Sequence, residues 1–231
     1  MLTVTGLEVA YGAVTAVAGV SLTAAPGQVT CIMGRNGVGK TTLLRSVMGQ
    51  IPARAGSVTL GDQDLTRLPA HRRAKLGIAL VPQGREIFPR LTVRENLEVA
   101  FAARGKRDMS AIDEVMTMFP ILGKFTRRMG GDLSGGQQQQ LAIARALVGN
   151  PKVLLLDEPT EGIQPNIIDE IGVVLRRLAA ERGLAVVLVE QYVDFVREVG
   201  HTFYALDRGR VVANGPTSGL TDEVVSRHLS V

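Results

Sequence analysis

Eight consecutive residues constrain this chain more than any others: Gly34-Arg35-Asn36-Gly37-Val38-Gly39-Lys40-Thr41 matches G-x4-G-K-[ST]. The apolar run QVTCIM at 28–33 precedes it and KTTLLRSVMG at 40–49 follows it. A buried strand, a glycine loop and a helix in that order form a cradle for phosphate. Glycines let the backbone wrap the anion, its amides point inward, and the following helix presents its positive end. That dipole contributes roughly 0.3–1 kcal/mol at an exposed site and more when buried. On this reading the backbone from Gly34 to Thr42 binds a nucleotide, Lys40 reaches its β- and γ-phosphates and Thr41 holds Mg2+.

A second element, Val153-Leu154-Leu155-Leu156-Asp157-Glu158, places an acidic pair at the end of an apolar run. Open α/β sheets hold ligands at the carboxyl ends of their strands, so Asp157 is predicted to hold Mg2+ through water. Glu158 is the candidate general base for an attacking water. Without the phosphate loop the same pair would read as a helix cap.

The remaining chain must therefore supply an α/β body. KVLLLDEP, a helix over about 165–182, and LAVVLVEQ form a strand–helix–strand unit whose continuous apolar runs call for a parallel sheet covered on both faces. Segments around 2–10, 17–23, 57–60 and 78–81 read as strands of a small, largely antiparallel region. From 92 to 148, apolar residues recur at helical spacing (Val93 and Leu97; Ile112, Val115, Met116 and Phe119; Leu141, Ile143 and Leu147), predicting a helical lobe. TFYALD and GRVVANG are predicted strands before a terminal helix, and no internal repeat or linker interrupts the chain.

Composition narrows the function classes. The chain has 231 residues, 45% hydrophobic and 21% charged, which excludes disordered and collagen-like classes. Aromatics are 4% with no Trp, which disfavours a binder that stacks single-stranded bases. The net charge of +4 suits several anionic partners, but the basic residues are scattered. The groups Arg72, Arg73, Lys75 and Arg104, Lys106, Arg107 read as solvated faces. The single cysteine, Cys31, sits in an apolar run and reads as a buried small hydrophobe in a reducing compartment. MLTVTGLEVAYG lacks the basic start and apolar core of a signal peptide, and the apolar runs are shorter than a membrane span, so membrane association is expected through a partner.

The third element is Leu133-Ser134-Gly135-Gly136-Gln137 followed by a helical pattern. Ser and two Gly at a helix start are ordinarily a cap. Between the other two motifs, they resemble the signature sequence of the ABC ATPase family, and the resemblance extends over essentially the whole chain. It implies an α/β fold: a P-loop NTPase core with a small antiparallel β region and an inserted helical lobe. One such unit would fill 1–231, divided into 1–90, 91–148 and 149–231. The signature loop of one subunit would close on the γ-phosphate held by another, giving a head-to-tail dimer that binds ATP with Mg2+. Tyr11 takes the place of the aromatic that stacks on adenine; otherwise it is a surface tyrosine at a strand end. Gln83 resembles the glutamine that senses Mg2+ and the attacking water.

Two positions depart from the family pattern. Where a histidine usually contacts the γ-phosphate the chain has Gln191, whose amide donates a hydrogen bond but cannot become a cation. Where the dimer-contact loop commonly has an aspartate, Glu161-Gly162-Ile163-Gln164-Pro165 offers Gln164. His71, His201 and His228 lie outside the motifs and read as surface or structural.

VPQGREIFPRLTVREN, EPTEGIQPNIIDEIG and VEQY look like the second ATPase subunit of urea importers and, less closely, that of branched-chain amino-acid importers. The resemblance implies a peripheral subunit at the cytoplasmic face of the inner membrane. Its partners would be two transmembrane permease subunits, a related ATPase or a second copy, and indirectly a solute-binding protein, with no nucleic acid. Two other readings are a soluble ABC ATPase acting on DNA or ribosomes, disfavoured by the lack of heptads and repeats, and a non-hydrolysing nucleotide-gated clamp, which Glu158 opposes.

Overall fold

The computed structural model describes residues 1–105 and 107–228, without the side chains of Ala103, Arg104 and His228. The readings made for Lys106 and for the Arg104 and His228 side chains lie outside the described residues; Arg107 is exposed and pairs with Glu98 at 2.8 Å.

The chain opens with an antiparallel hairpin, β1 (Leu2–Tyr11) and β2 (Val14–Ala24). β3 (Val29–Met33) runs through the glycine loop into α1 (Lys40–Met48). β4 (Ala55–Leu60) returns to pair with β1 and carries the short β5 (Gln63–Asp64). α2 (Ala70–Lys75) and β6 (Ile78–Val81) follow. The predicted helical stretch is α3 (Val93–Glu98), α4 (Phe101–Arg104), α5 (Met109–Met118), α6 (Pro120–Lys124) and α7 (Gly135–Val148). Alternation then resumes with β7 (Val153–Asp157), α8 (Pro165–Arg182), β8 (Ala185–Val189) and α9 (Val193–Val199). β9 (Thr202–Asp207), β10 (Arg210–Pro216) and α10 (Asp222–His228) complete it.

These strands make two sheets, β2-β1-β4-β5 and β10-β9-β3-β8-β7-β6. In the second sheet β9-β3-β8-β7-β6 pair in parallel and β10 is antiparallel at the edge. Every residue of β3, β7 and β8 is buried, and the pleat sends alternate side chains into two cores. Leu154, Leu156, Val186 and Leu188 join the core shared with α5, α7 and α8. Val153, Leu155, Ala185 and Val187 join the core shared with α1 and the antiparallel sheet. The helical segment is thus continuous with the sheet through one apolar cluster.

α8 occupies the predicted 165–182. Pro165 stands at its first turn, where a missing N–H costs nothing, and Gly183 closes it at φ 63 with its N–H on Ala179 O. Ile168, Ile171, Leu175 and Leu178 make its buried stripe. Each such side chain, when fully buried, contributes about 1.5–3 kcal/mol.

Two expectations are corrected. Residues 78–81 belong to the parallel sheet, as β6 beside β7, because the helices α3–α7 connect these two strands and a helical crossover returns the chain parallel. Arg73, grouped with the solvated basic residues, is 4% exposed. Its guanidinium donates to Leu68 O at 2.8 Å, Thr66 O at 3.0 Å, Ser46 O at 2.9 Å and Val47 O at 2.8 Å. The cation therefore satisfies carbonyls at the carboxyl end of α1, where positive charge is favourable. Arg73→Met is expected to lower stability by roughly 3 kcal/mol, because these carbonyls lose their donors inside the protein. The denaturant midpoint should fall with its slope unchanged; an unmoved midpoint would remove this role.

Cys31 is buried as predicted. Desolvation first, and the nearby Glu190 charge second, raise its thiol far above the ordinary range, so it stays protonated. His71 and His201 are exposed, and His201 Nδ1 accepts from Val29 N at 3.1 Å.

Candidate active site

The site forms where β3, β8 and β7 end. Ile32 is in register with Val189, and Val189 with Asp157, so the next residue of each strand reaches one common edge. Those residues are Met33, which leads into the glycine loop, Glu190 and Glu158.

The loop is possible only with glycine. Gly39 sits at φ 106, and a Cβ there would lie 2.3 Å from Ala16 O; at Gly34 it would lie 2.5 Å from Leu206 O. Lys40 is 4% exposed and donates to Gly34 O at 2.7 Å and Arg35 O at 2.9 Å. Val38 turns into the core below the loop. Asn36, Gly37, Gly39, Lys40, Thr41 and Thr42 line a cavity of about 670 Å3 together with Tyr11, Gln83, Glu158, Gln191 and Tyr192. That volume suits a nucleotide-sized ligand. Tyr11 is exposed at the rim, its hydroxyl 3.4 Å from Thr42 Oγ1.

Glu158 is the hub of the cavity. Its Oε1 accepts from Gln191 Nε2 at 2.7 Å and lies 3.3 Å from Lys40 Nζ. Its Oε2 accepts from Gln83 Nε2 at 3.2 Å. Gln191 Nε2 also reaches Asn36 Oδ1 at 2.7 Å, and Gln83 Nε2 reaches Glu161 Oε2 at 3.0 Å. Glu158 has φ 48, a left-handed conformation that a residue with a Cβ rarely adopts. Its own N–H donates to Val189 O at 3.0 Å.

Asp157 is 3% exposed and accepts from Thr41 Oγ1 at 3.3 Å. Burial pushes its carboxyl above the ordinary range; the Thr41 hydrogen bond opposes this, and the neighbouring Glu158 charge adds to it. The Thr41 hydroxyl and the Asp157 carboxyl are oxygen donors of the kind a hard divalent cation takes. Among the described residues there is no group of three or more His, Cys, Asp or Glu that could hold a metal ion, so a cation at this pair would need further ligands from outside it.

The signature residues lie elsewhere. Ser134 caps α7 reciprocally with Gln137: the Gln137 N–H donates to Ser134 Oγ at 3.4 Å, and the Ser134 N–H to Gln137 Oε1 at 3.0 Å. Ser134, Gly135, Gly136 and Gln137 line a second cavity, of about 420 Å3, with Gly162 and Gln164; Leu133 is buried beside it. None of the five lines the first cavity.

Several residues around the site escaped the sequence reading. Glu161 shares Gln83 with Glu158, and Arg85 donates to Glu161 O at 3.3 Å. Arg145 of α7 donates to Glu86 O at 2.8 Å and stacks 5.2 Å from the Phe88 ring, tying the loop after Gln83 to the signature helix. Glu190 is a carboxylate 2% exposed. It had a legible signal, since it ends an apolar strand as Asp157 does.

A family model described as "ABC transporter" matches residues 17–161. The chain is 38% identical over 221 residues to the high-affinity branched-chain amino acid transport ATP-binding protein BraG of Pseudomonas aeruginosa, covering 95% of this chain and 94% of the relative. It is 40% identical over 195 residues to the probable branched-chain amino acid transport ATP-binding protein LivF of Archaeoglobus fulgidus, covering 84% and 83%. It is 38% identical over 233 residues to the lipopolysaccharide export system ATP-binding protein LptB of Escherichia coli K12, covering 98% and 95%. Among solved structures it resembles the dimeric post-hydrolysis state of the ATP-binding cassette MJ0796 bound to ADP and Pi, with a TM-score of 0.85 at 28% identity, covering 95% of this chain and all of that one.

Proposed function

Because this chain belongs to the ABC transporter ATP-binding family, whose cassettes bind and hydrolyse ATP, we propose that it is the motor subunit of a branched-chain amino-acid importer. One observation carries the mechanism: a single carboxylate, Glu158, held by two glutamine amides beside the phosphate-loop lysine.

On this reading Tyr11 stacks on adenine, and the amides of 34–42 with Lys40 hold the phosphates. Glu158 accepts a proton from the water that attacks the γ-phosphorus. The bond from that phosphorus to the β–γ bridging oxygen breaks, releasing ADP and phosphate. Gln83 and Gln191 aim the carboxylate and the water. Thr41, Asp157 and Gln83 would hold Mg2+, which when bound neutralises charge on the β- and γ-oxygens.

The second cavity supports a shared site, in which Leu133–Gln137 of one subunit face the nucleotide of another. The cassette MJ0796 is dimeric in its post-hydrolysis state, which supports the pairing of two cassettes. We read 1–231 as one cassette of three regions, with 84–125 passing movement to two transmembrane permease subunits at the cytoplasmic face of a membrane. A related ATPase or a second copy would complete the dimer, and a solute-binding protein would act through the permeases. Among the described residues, no helix is long and apolar enough to cross a membrane itself.

The solute rests on the relatives. BraG and LivF are branched-chain amino-acid proteins, so amino acids replace the urea expected from the motifs as the first reading. LptB, which shares the same 38% identity with this chain as BraG does and covers 98% of it against 95%, supports lipopolysaccharide export as a second reading. In source cells whose only copy carries Glu158→Gln, uptake of labelled leucine should fall while labelled urea uptake persists. The reverse would restore urea, and loss of neither would favour export.

A further inference from the structure

The geometry points to Glu190 as a positioning residue for hydrolysis: its buried carboxylate clamps the loop carrying Glu158 to the loop carrying Gln191. This rests on the reading of Glu158 as the base and adds to it the part that holds the base in place.

Glu190 Oε1 accepts from the Thr160 N–H at 3.1 Å and from Thr160 Oγ1 at 2.7 Å. Its Oε2 accepts from the Gln191 N–H at 3.0 Å and the Tyr192 N–H at 3.3 Å. Among the described residues no basic side chain pairs with it, so these dipoles alone stabilise a carboxylate that is 2% exposed. The Glu190 N–H donates to Ile32 O at 3.1 Å, which fixes the clamp to β3 just before the phosphate loop.

Such a residue is costly to bury unless the contacts are needed, since a carboxylate taken from water is destabilising until every lone pair finds a donor. Here the need is visible two residues before Thr160. The left-handed conformation of Glu158 persists only where its surroundings over-determine it. The Glu158 N–H on Val189 O holds one side of that turn, and Thr160 on Glu190 holds the other. The same carboxylate fixes the backbone amide of Gln191, whose side chain donates to Glu158 at 2.7 Å. Base and partner amide are therefore set by one group, a carboxylate in the wall of the same cavity.

Glu190→Gln replaces one acceptor oxygen by an NH2 that faces N–H donors, so the clamp opens without loss of volume. Expected is a fall in kcat on the order of 10²-fold, the effect of an ångström-scale misplacement, with KM for Mg-ATP unchanged because the phosphate loop is untouched. Thr160→Val, which removes only the hydroxyl donor, should lower kcat several-fold, and Thr160→Ser should recover most of that loss. The double variant Glu190→Gln/Thr160→Val should be no slower than Glu190→Gln alone. A merely structural carboxylate would instead lower thermal stability while the folded fraction kept its kcat. Parent kcat in Glu190→Gln, or additive losses in the double variant, would overturn the inference. If Glu190→Gln does not fold, the Thr160→Val and Thr160→Ser pair decides alone. Glu158→Gln in the same assay separates the two ideas: turnover surviving there refutes the base, whereas turnover lost there but kept in the Glu190 and Thr160 variants refutes only the clamp.

Discussion

Glu158→Gln is expected to lower Mg-ATP turnover of the purified protein by about 10²–10⁴-fold, the range a positioned general base supplies. Nucleotide affinity should be retained or tightened. The wild-type carboxylate lies 3.3 Å from Lys40 Nζ at the edge of the phosphate cradle, and removing its charge removes a like charge facing an anionic ligand. Two amide nitrogens, of Gln83 and Gln191, donate to this carboxylate, one to each oxygen. The substituted side chain keeps one acceptor oxygen, so one glutamine must turn away, and no group remains to take the proton of an attacking water. Phosphate release measured beside a fluorescent-nucleotide titration checks both halves. Turnover at the parent rate would remove Glu158 from the mechanism.

Lys40→Ala is expected to weaken nucleotide binding roughly 10- to 10²-fold, the equivalent of one charge-assisted hydrogen bond of about 1.5–3 kcal/mol. The loss has two sources. Lys40 supplies positive charge to the cradle, and its ammonium also holds the loop through Gly34 O and Arg35 O at 2.7 and 2.9 Å. Lys40→Arg should not restore affinity, because a side chain 4% exposed leaves no room for a planar guanidinium. Unchanged affinity in Lys40→Ala would refute the phosphate-loop assignment. Lys40→Ala and Glu158→Gln together separate the cradle from the base, since only the first is expected to weaken binding.

The parts of the molecule that were legible in advance have local causes. The phosphate loop announces itself because only glycine tolerates its backbone, and Asp157 because four apolar residues carry it to the buried end of a strand. α8 declares both its ends through Pro165 and Gly183. The short α2 was hidden: six residues with three basic side chains offer no apolar stripe, so Arg73 read as surface and β6 was assigned to the wrong sheet.

Sequence by itself therefore determined the long helix α8, the buried strands β3, β7 and β8 with their covered parallel sheet, and the backbone of the glycine loop, because periodicity, caps and glycine conformations are properties of neighbours along the chain. Tertiary structure alone decided that Gln83 and Gln191 close on Glu158 from 75 and 33 residues away, that Arg73 turns inward to α1, and that Glu190 joins two loops. Those contacts bring together segments distant along the chain. Loop-closure entropy changes only logarithmically with their separation, so no local pattern marks which partner a side chain will meet. The meeting is set by strand order and by the requirement that each buried polar group find its partner.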